Sequence, residues 1–323
     1  MINLLVLKET INSEKRVALV PDEIKKYFDL GFKVTIEKDA GIYSGFTNEE
    51  YKKLNAKITD NVIKEIKDSD VVIQVRKPDL KLIKGMKNGS IIIGLLEPKK
   101  NSSENSIYNK KKISAFSMEN IPRITRAQDK DVLSSQSNLS GYKAVLDAAY
   151  EYSRSFPMMM TAAGTLIPAK VLILGAGVAG LAAIANAKRM GSQVYAFDVR
   201  PVVKEQVESL GANFIEVESD TEEGVGKGGY AKEVSEDYKK KQTTLIRDTI
   251  KNMDIIISTA LIPERPAPIL IDRDMAESMN PGSVIMDLAA INGGNCELTQ
   301  CDKIVIHNNI IIDGRSYLPS TMA

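Results

Sequence analysis

The sequence predicts an α/β protein of two doubly wound parallel-sheet domains, joined by a long helix and with a cleft between them. Three observations predict it. Short runs of Ile, Val and Leu alternate with amphipathic segments through both halves of the chain, a glycine-rich turn joins one such run to a helical pattern near the middle, and 323 residues suit about two domains of roughly 150 residues.

In chain order, the first half offers candidate strands at residues 2–7, 34–37, 71–75, 90–95 and 113–116. Residues 21–30 read as a helix that opens with Pro21 and stops at Gly31. Residues 47–54 read as another, opened by a Thr47 cap with Glu50 three positions on. Residues 80–112 are rich in Lys, Asn and Ser and read as a solvated charged face. A helical pattern follows over residues 133–153, and Asn138, Ser140, Gly141, Lys143 and Asp147 make it too polar to span a bilayer. It is the predicted connection, residues 133–160. The second half continues with strands at 170–174, 194–197, 214–217, 254–259 and 284–287, and with helices at 179–190 and 201–210 that stop at Gly191 and Gly211. The domains then run over residues 1–132, completed by 310–323, and over 161–309.

Composition excludes several function classes. With 43 Lys and Arg against 42 Asp and Glu, the net charge of +1 offers no electrostatic footprint for nucleic acid or for direct binding to an anionic membrane. Two cysteines and one histidine make neither a disulfide framework nor a four-ligand zinc site, so no metal centre is expected and a reducing cytosol is the natural compartment. The opening residues turn charged at Lys8, too early for a signal peptide. Residues 171–187 carry no charge, but Gly175, Gly177 and Gly180 break the run into strand, turn and helix.

That break is the main chemical signal. Gly175-Ala176-Gly177-Val178-Ala179-Gly180 follows a predicted strand and opens a predicted helix. The first glycine permits the tight turn, the second lets the backbone approach a pyrophosphate, and the third lets helix and strand pack closely. A dinucleotide is the expected ligand; the plainer alternative is a glycine-rich turn with no ligand. Asp198, 18 residues after Gly180 at the end of the next strand, is placed to accept hydrogen bonds from a ribose diol and to repel a 2′-phosphate, which favours NAD(H). Arg200 stands two positions on, where it either binds a 2′-phosphate, pairs with Asp198 or lies in a solvated turn. Residues 218–230 form a glycine-rich segment ending in Tyr230, readable as a flap over a flat cofactor or as a surface loop. Residues 260–268 hold three prolines and read as a stiff loop at the strand ends, and residues 292–295 read as a plain turn.

His307, the single histidine, lies beside Asn308 and Asn309 near the end and is not assigned to catalysis. Dehydrogenases acting on alcohols or amines move a proton with the hydride, commonly through histidine. Hydride passing directly between two nicotinamides needs no proton transfer at the reacting carbons, only alignment and exclusion of water.

Several longer blocks carry a resemblance. They are Pro122-Arg123-Ile124-Thr125-Arg126-Ala127-Gln128, Asp131-Val132-Leu133-Ser134-Ser135-Gln136-Ser137-Asn138 with Gly141-Tyr142, Met160-Thr161-Ala162-Ala163-Gly164, Gly229-Tyr230-Ala231-Lys232, Thr259-Ala260-Leu261-Ile262-Pro263 and Gly293-Gly294-Asn295-Cys296. Together with the glycine fingerprint they resemble the NAD(H)-binding component, domain I, of proton-translocating NAD(P) transhydrogenases over nearly the whole chain. The resemblance implies two Rossmann-like domains. It implies that Arg123, Gln128, Asp131 and Ser134 position the nicotinamide, and that the cofactor is bound by Gly175, Gly177, Val178, Ala179, Gly180, Asp198, Val199, Arg200, Tyr230, Thr259, Ala260 and Leu261. It also implies hydride transfer from NADH to NADP+ held by a partner component, with a membrane component coupling transfer to proton movement. The chain would then be a homodimer on the cytoplasmic side, peripheral to the inner membrane through its partners and active only with them.

Alanine dehydrogenase is similar in architecture and shares the opening Lys8-Glu9 and Glu14-Lys15-Arg16-Val17-Ala18. Where that enzyme's pattern expects a catalytic lysine and histidine, this chain has Arg76 and Glu97, so amino acid oxidation is the alternative reading, with a non-catalytic NAD-binding protein as a third. Family members continue past the segment matching Leu318-Pro319-Ser320, which bears on how complete the first domain and its dimer surface are.

Overall fold

The computed structural model describes the chain except residues 12, 100–101, 218–234, 263–264 and 323. It divides into two compact units, Met1–Leu133 with Pro319–Ala323, and Ser134–Leu318.

In the first unit, β1 (Ile2–Val6), β2 (Phe32–Glu37), β3 (Lys57–Thr59), β4 (Val71–Arg76), β5 (Ile91–Leu95) and β6 (Ser114–Ser117) form an all-parallel sheet in the order β3-β2-β1-β4-β5-β6. Strands buried on both faces read as continuous apolar runs, and alternate residues serve opposite cores. Leu4 and Val6 join Val34, Ile36 and Tyr51 on one face, while Leu5 and Leu7 join Ile66, Val72 and Ile92 on the other. The helices are α1 (Ile24–Asp29), α2 (Asn48–Lys53), α3 (Val62–Asp68), α4 (Leu80–Gly85) and α5 (Ser102–Lys111). Thr47 and Glu50 form the expected capping box of α2. Residues 80–112 depart from a purely solvated face: α4 and α5 flank β5 and send Ile83 and Tyr108 into the core. The charges mask this in the sequence because one buried aromatic suffices to seat α5.

In the second unit, α6 (Val132–Glu151) is the expected long helix, but it is not a bare connector. Ala144, Val145 and Ala148 enter the second unit's core, and a Cβ at Gly141 would overlap the carbonyl of Ala179. Glycine thus lets α6 press against the turn that begins α7 (Val178–Arg189). A hairpin of β7 (Met159–Thr161) and β8 (Gly164–Leu166) follows. The main sheet uses β9 (Lys170–Leu174), β10 (Gln193–Phe197), β11 (Asn213–Ile215), β12 (Ile255–Ser258), β13 (Val284–Asp287), β14 (Ile304–His307) and β15 (Ile310–Asp313) in the order β11-β10-β9-β12-β13-β15-β14, in which β14 runs antiparallel to its neighbour and the other pairings are parallel. Helices α8 (Lys204–Ser209), α9 (Glu236–Ile250) and α10 (Arg273–Glu277) complete the unit. Both units are Rossmann-like.

One boundary is corrected. The sequence reading assigns residues 310–323 to the first domain, yet β15 pairs with β13 and buries Ile310 and Ile312 in the second unit's core, so the return begins only at Pro319. An apolar strand pairs with the nearest open sheet edge, and here β13 supplies it.

Candidate functional site: the turn after β9

The topological switch point of the second sheet lies between β9 and β12, where open α/β sheets bind ligands beyond the carboxyl ends of the strands. The fingerprint glycines sit there with three separable roles. Gly175 has φ +98°, and a Cβ on it would lie 2.7 Å from the Thr259 hydroxyl. A Cβ on Gly180 would overlap the carbonyl oxygen of Gly175. A Cβ on Gly177 would meet nothing within 4 Å. The first and third glycines are therefore required by the protein itself, whereas the second borders open space. Gly177 is also the N-cap of α7 and no side chain caps that end, so the first-turn N–H groups, including those of Val178 and Ala179, suit an anion.

The neighbouring strands hold this turn. The Gly175 N–H donates to the Phe197 carbonyl (2.8 Å), and Thr259 donates from its N–H to Leu174 (2.8 Å) and from its hydroxyl to the Gly175 carbonyl (3.0 Å). Asp198, at the end of β10, is buried. Its Oδ2 accepts from the Ala176 N–H (2.7 Å) and from Arg200 Nη2 (2.7 Å), and its Oδ1 accepts from Arg200 N (2.9 Å) and Nε (2.8 Å). Of the three settings open to Arg200, the structure takes the pairing. Hydrogen bonding to Asp198 holds the guanidinium more firmly in its charged form. Val199 lies half-buried between them.

Ala260 and Leu261 follow β12. They are organised by a residue that sequence reasoning left in a plain turn, the fully buried Asn295. Its Oδ1 accepts from the Ser258 hydroxyl (2.6 Å) and the Ala260 N–H (3.1 Å), and its Nδ2 donates to the carbonyls of Ala260 (2.9 Å) and Pro268 (2.8 Å). Asp287 orients it by accepting the Asn295 N–H at 2.7 Å. The turn before Asn295 fits its own glycines: Gly293 and Gly294 both have positive φ.

In the first unit, Arg123 Nε donates to Asp131 Oδ2 at 3.1 Å, bracketing a 3-10 turn over Thr125–Lys130 that exposes Gln128. Ser134 lies in the first turns of α6 and is assigned to the second unit. Tyr230, with the glycine-rich segment 218–230, lies outside the described residues, as does Pro263. His307 bonds Glu277 Oε1 at 2.7 Å, an arrangement away from the β9 turn, on the edge strand β14.

The switch point of the first sheet, between β1 and β4, is filled by charges from the chain itself. Arg16 and Arg76 both hold the Glu14 carboxylate (Arg16 Nη2 2.6 Å, Arg76 Nε 3.2 Å), and both donate to the Ser320 hydroxyl (3.2 and 3.3 Å). Glu9, buried beside them, accepts the Val75 N–H at 2.7 Å. Burial, with the like charge of Glu14 behind it, pushes the Glu9 carboxyl up to about 7. Glu97 sits at φ +46° with its N–H on Glu119. Among the described residues no cluster of three or more His, Cys, Asp or Glu is arranged to hold a metal, and no helix is long and apolar enough to cross a membrane.

Comparison with known proteins agrees with this layout. The family "Alanine dehydrogenase/PNT, N-terminal domain" matches residues 5–140 and "Alanine dehydrogenase/PNT, C-terminal domain" matches residues 144–323. The chain is 46% identical over 325 residues to an NAD(P) transhydrogenase alpha subunit of Rhodospirillum rubrum, covering 98% of this chain and 84% of that protein. It is 30% identical to alanine dehydrogenase 1 of Staphylococcus aureus, over 90% and 73% of the two chains. The crystal structure of transhydrogenase from Sinorhizobium meliloti superposes with a TM-score of 0.88 at 42% identity, covering 99% of this chain and 88% of that one. The chain belongs to the alanine dehydrogenase/PNT family, and within it to the NAD(P) transhydrogenase alpha subunits.

Proposed function

We propose that the chain is the NAD(H)-binding component of a proton-translocating transhydrogenase, passing hydride from NADH to NADP+ on a partner component while a membrane component couples the transfer to proton movement. The observation that carries this reading is the β9 turn: Gly177 borders open space at an uncapped helix N-terminus, with Asp198 one strand away. The residues fit a dinucleotide. The N–H groups at the start of α7 would hold the pyrophosphate, Asp198 the adenosine ribose, and the backbone of Thr259, Ala260 and Leu261 the cofactor beyond the strand ends. When bound, NADH supplies the hydride. Arg123 and Asp131 fix each other and the turn carrying Gln128, so that Gln128 and Ser134 can orient the carboxamide. No proton has to move at the reacting carbons, and His307, already held by Glu277, is not needed.

Alanine oxidation is disfavoured by what occupies its positions: Arg76 is held by Glu14 and Ser320, and Glu97 is an acid where a histidine is expected. The chain acts as a homodimer, peripheral to the inner membrane through its partners. Support for the second copy comes from the β7–β8 hairpin region, where Met158, Met159, Met160, Leu166 and Ile167 are all exposed. Titration of the purified protein with both reduced cofactors tests the first step, with NADH expected to bind more tightly than NADPH. Hydride transfer should appear only when the NADP(H)-binding partner is added. Rapid transfer by this chain alone, or pyruvate formation from alanine and NAD+, would overturn the reading. Sedimentation should give twice the chain mass, and Met160→Asp with Ile167→Asp should return it to monomer.

A further inference from the structure

We propose that the first unit carries a separate small-molecule site at the carboxyl ends of β5 and β6, suited to a flat aromatic or heteroaromatic molecule bearing one N–H or O–H donor. A cavity of about 370 Å³ lies there, within the range of ligand pockets, about 300–1,000 Å³. Leu96, Pro98, Met118 and Ile121 give it an apolar lining, and the exposed ring of Phe116 adds a face for stacking. Against that lining stand polar atoms with nothing to bond. The hydroxyl of Tyr108, a residue only 6% exposed, and the hydroxyl of Ser117 both line the cavity, and neither has a partner among the described residues. Two positions beyond Ser117, Glu119 holds the Glu97 N–H with one carboxylate oxygen and leaves its other oxygen, Oε2, buried and unbonded among the described residues.

Buried polar groups in a folded protein are normally satisfied, and leaving one unmade costs about 1–3 kcal/mol. Three such groups close together, two of them on one cavity, mark a place where the protein keeps hydrogen-bonding capacity for something it does not itself supply. A carboxylate oxygen can only accept, while the two hydroxyls can rotate to accept or donate. The complement is therefore a donor on an apolar, planar body. The site is independent of the dinucleotide reading, since it lies wholly within the first unit and its binding is measured without any nicotinamide cofactor.

Indole and benzofuran form a matched pair of probes, alike in shape and differing in the N–H. With methyl-labelled methionine in the full chain, indole is expected to shift the Met118 methyl resonance with a dissociation constant of about 0.1–1 mM, in keeping with so small a ligand. Benzofuran should bind about tenfold more weakly. In Tyr108→Phe with Ser117→Ala the preference for indole should disappear while the unliganded protein melts no lower than the parent, because the orphan hydroxyls are gone. Equal binding of the two probes, retention of the preference in the double variant, or shifts that spare Met118 would each overturn the proposal, as would a cavity holding only water in a crystal soaked with indole.

Discussion

Arg200 and the Ala176 N–H together fill the carboxylate of Asp198, with four hydrogen bonds of 2.7–2.9 Å. A carboxylate has about four acceptor positions, so a ribose diol can engage Asp198 only by displacing part of Arg200. The acid that selects the cofactor is thus held by an internal competitor.

Arg200→Ala should therefore act in two directions. The unliganded protein should melt lower, since Asp198 stays buried without its cation, and NADH should bind severalfold more tightly. Asp198→Ala should weaken NADH by about 10–100-fold, through loss of the ribose contact and of the Ala176 anchor. Calorimetric titration and thermal unfolding measure both, and weaker NADH binding by Arg200→Ala would sink the competition idea.

The fingerprint glycines should separate under alanine substitution. Gly180→Ala forces a methyl onto the Gly175 carbonyl and should cost about 1–3 kcal/mol of stability or more. Gly177→Ala meets no atom, so its unfolding midpoint should stay near the parent value while NADH affinity falls at least tenfold. Equal stability losses in the two variants would show that the space beside Gly177 has no bearing on the cofactor.

Asn295→Ala should remove four hydrogen bonds at the β12 end and cost at least about 2 kcal/mol in denaturant unfolding. Asn295→Asp should be no better, because its second oxygen would face the Ala260 and Pro268 carbonyls. A neutral effect of either variant would mean that Asn295 does not shape the site.

The β9 turn was legible because its glycines carry a strand on one side and a helix on the other, so local sequence and tertiary role coincide. Asn295 was not, since its partners lie 27 to 37 residues away and an Asn in a Gly-Gly-Asn run looks like any turn. The β14–β15 hairpin did carry a local signal: Asn308 and Asn309 both adopt positive φ, the pattern of a tight two-residue turn between strands. Helix α9 hid behind its lysines, yet Tyr238, Gln242, Ile246 and Ile250 recur every four residues along its buried face. The pairing of Arg200 with Asp198 was one of three settings the spacing allowed, and only geometry chose between them.

The buried carboxyl of Glu9 sets a pH dependence. Its pKa is raised from 4.5 to about 7, so the folded chain holds a proton that the unfolded chain releases. Stability from this group is full below about pH 4.5 and is lost as pH rises toward 7. Glu9→Gln keeps an acceptor for Val75 and should flatten that slope, gaining roughly 1–3 kcal/mol at pH 8 relative to the parent. Unfolding curves at pH 5.5 and 8 decide it, and an unchanged slope would mean that Glu9 does not carry the proton.

Ser320 closes the cluster of Arg16, Glu14 and Arg76 from a position 304 residues beyond Arg16. On the ribosome, the first unit emerges first but must wait for nearly the entire second unit to be synthesised before that hydroxyl, and the Ser320 carbonyl that accepts from Lys15, can arrive. Newly made chains therefore pass through a stage in which two arginines and a carboxylate at the end of the first sheet lack their cover. During that interval the order of assembly runs opposite to the order of synthesis: the later unit is finished before the earlier one.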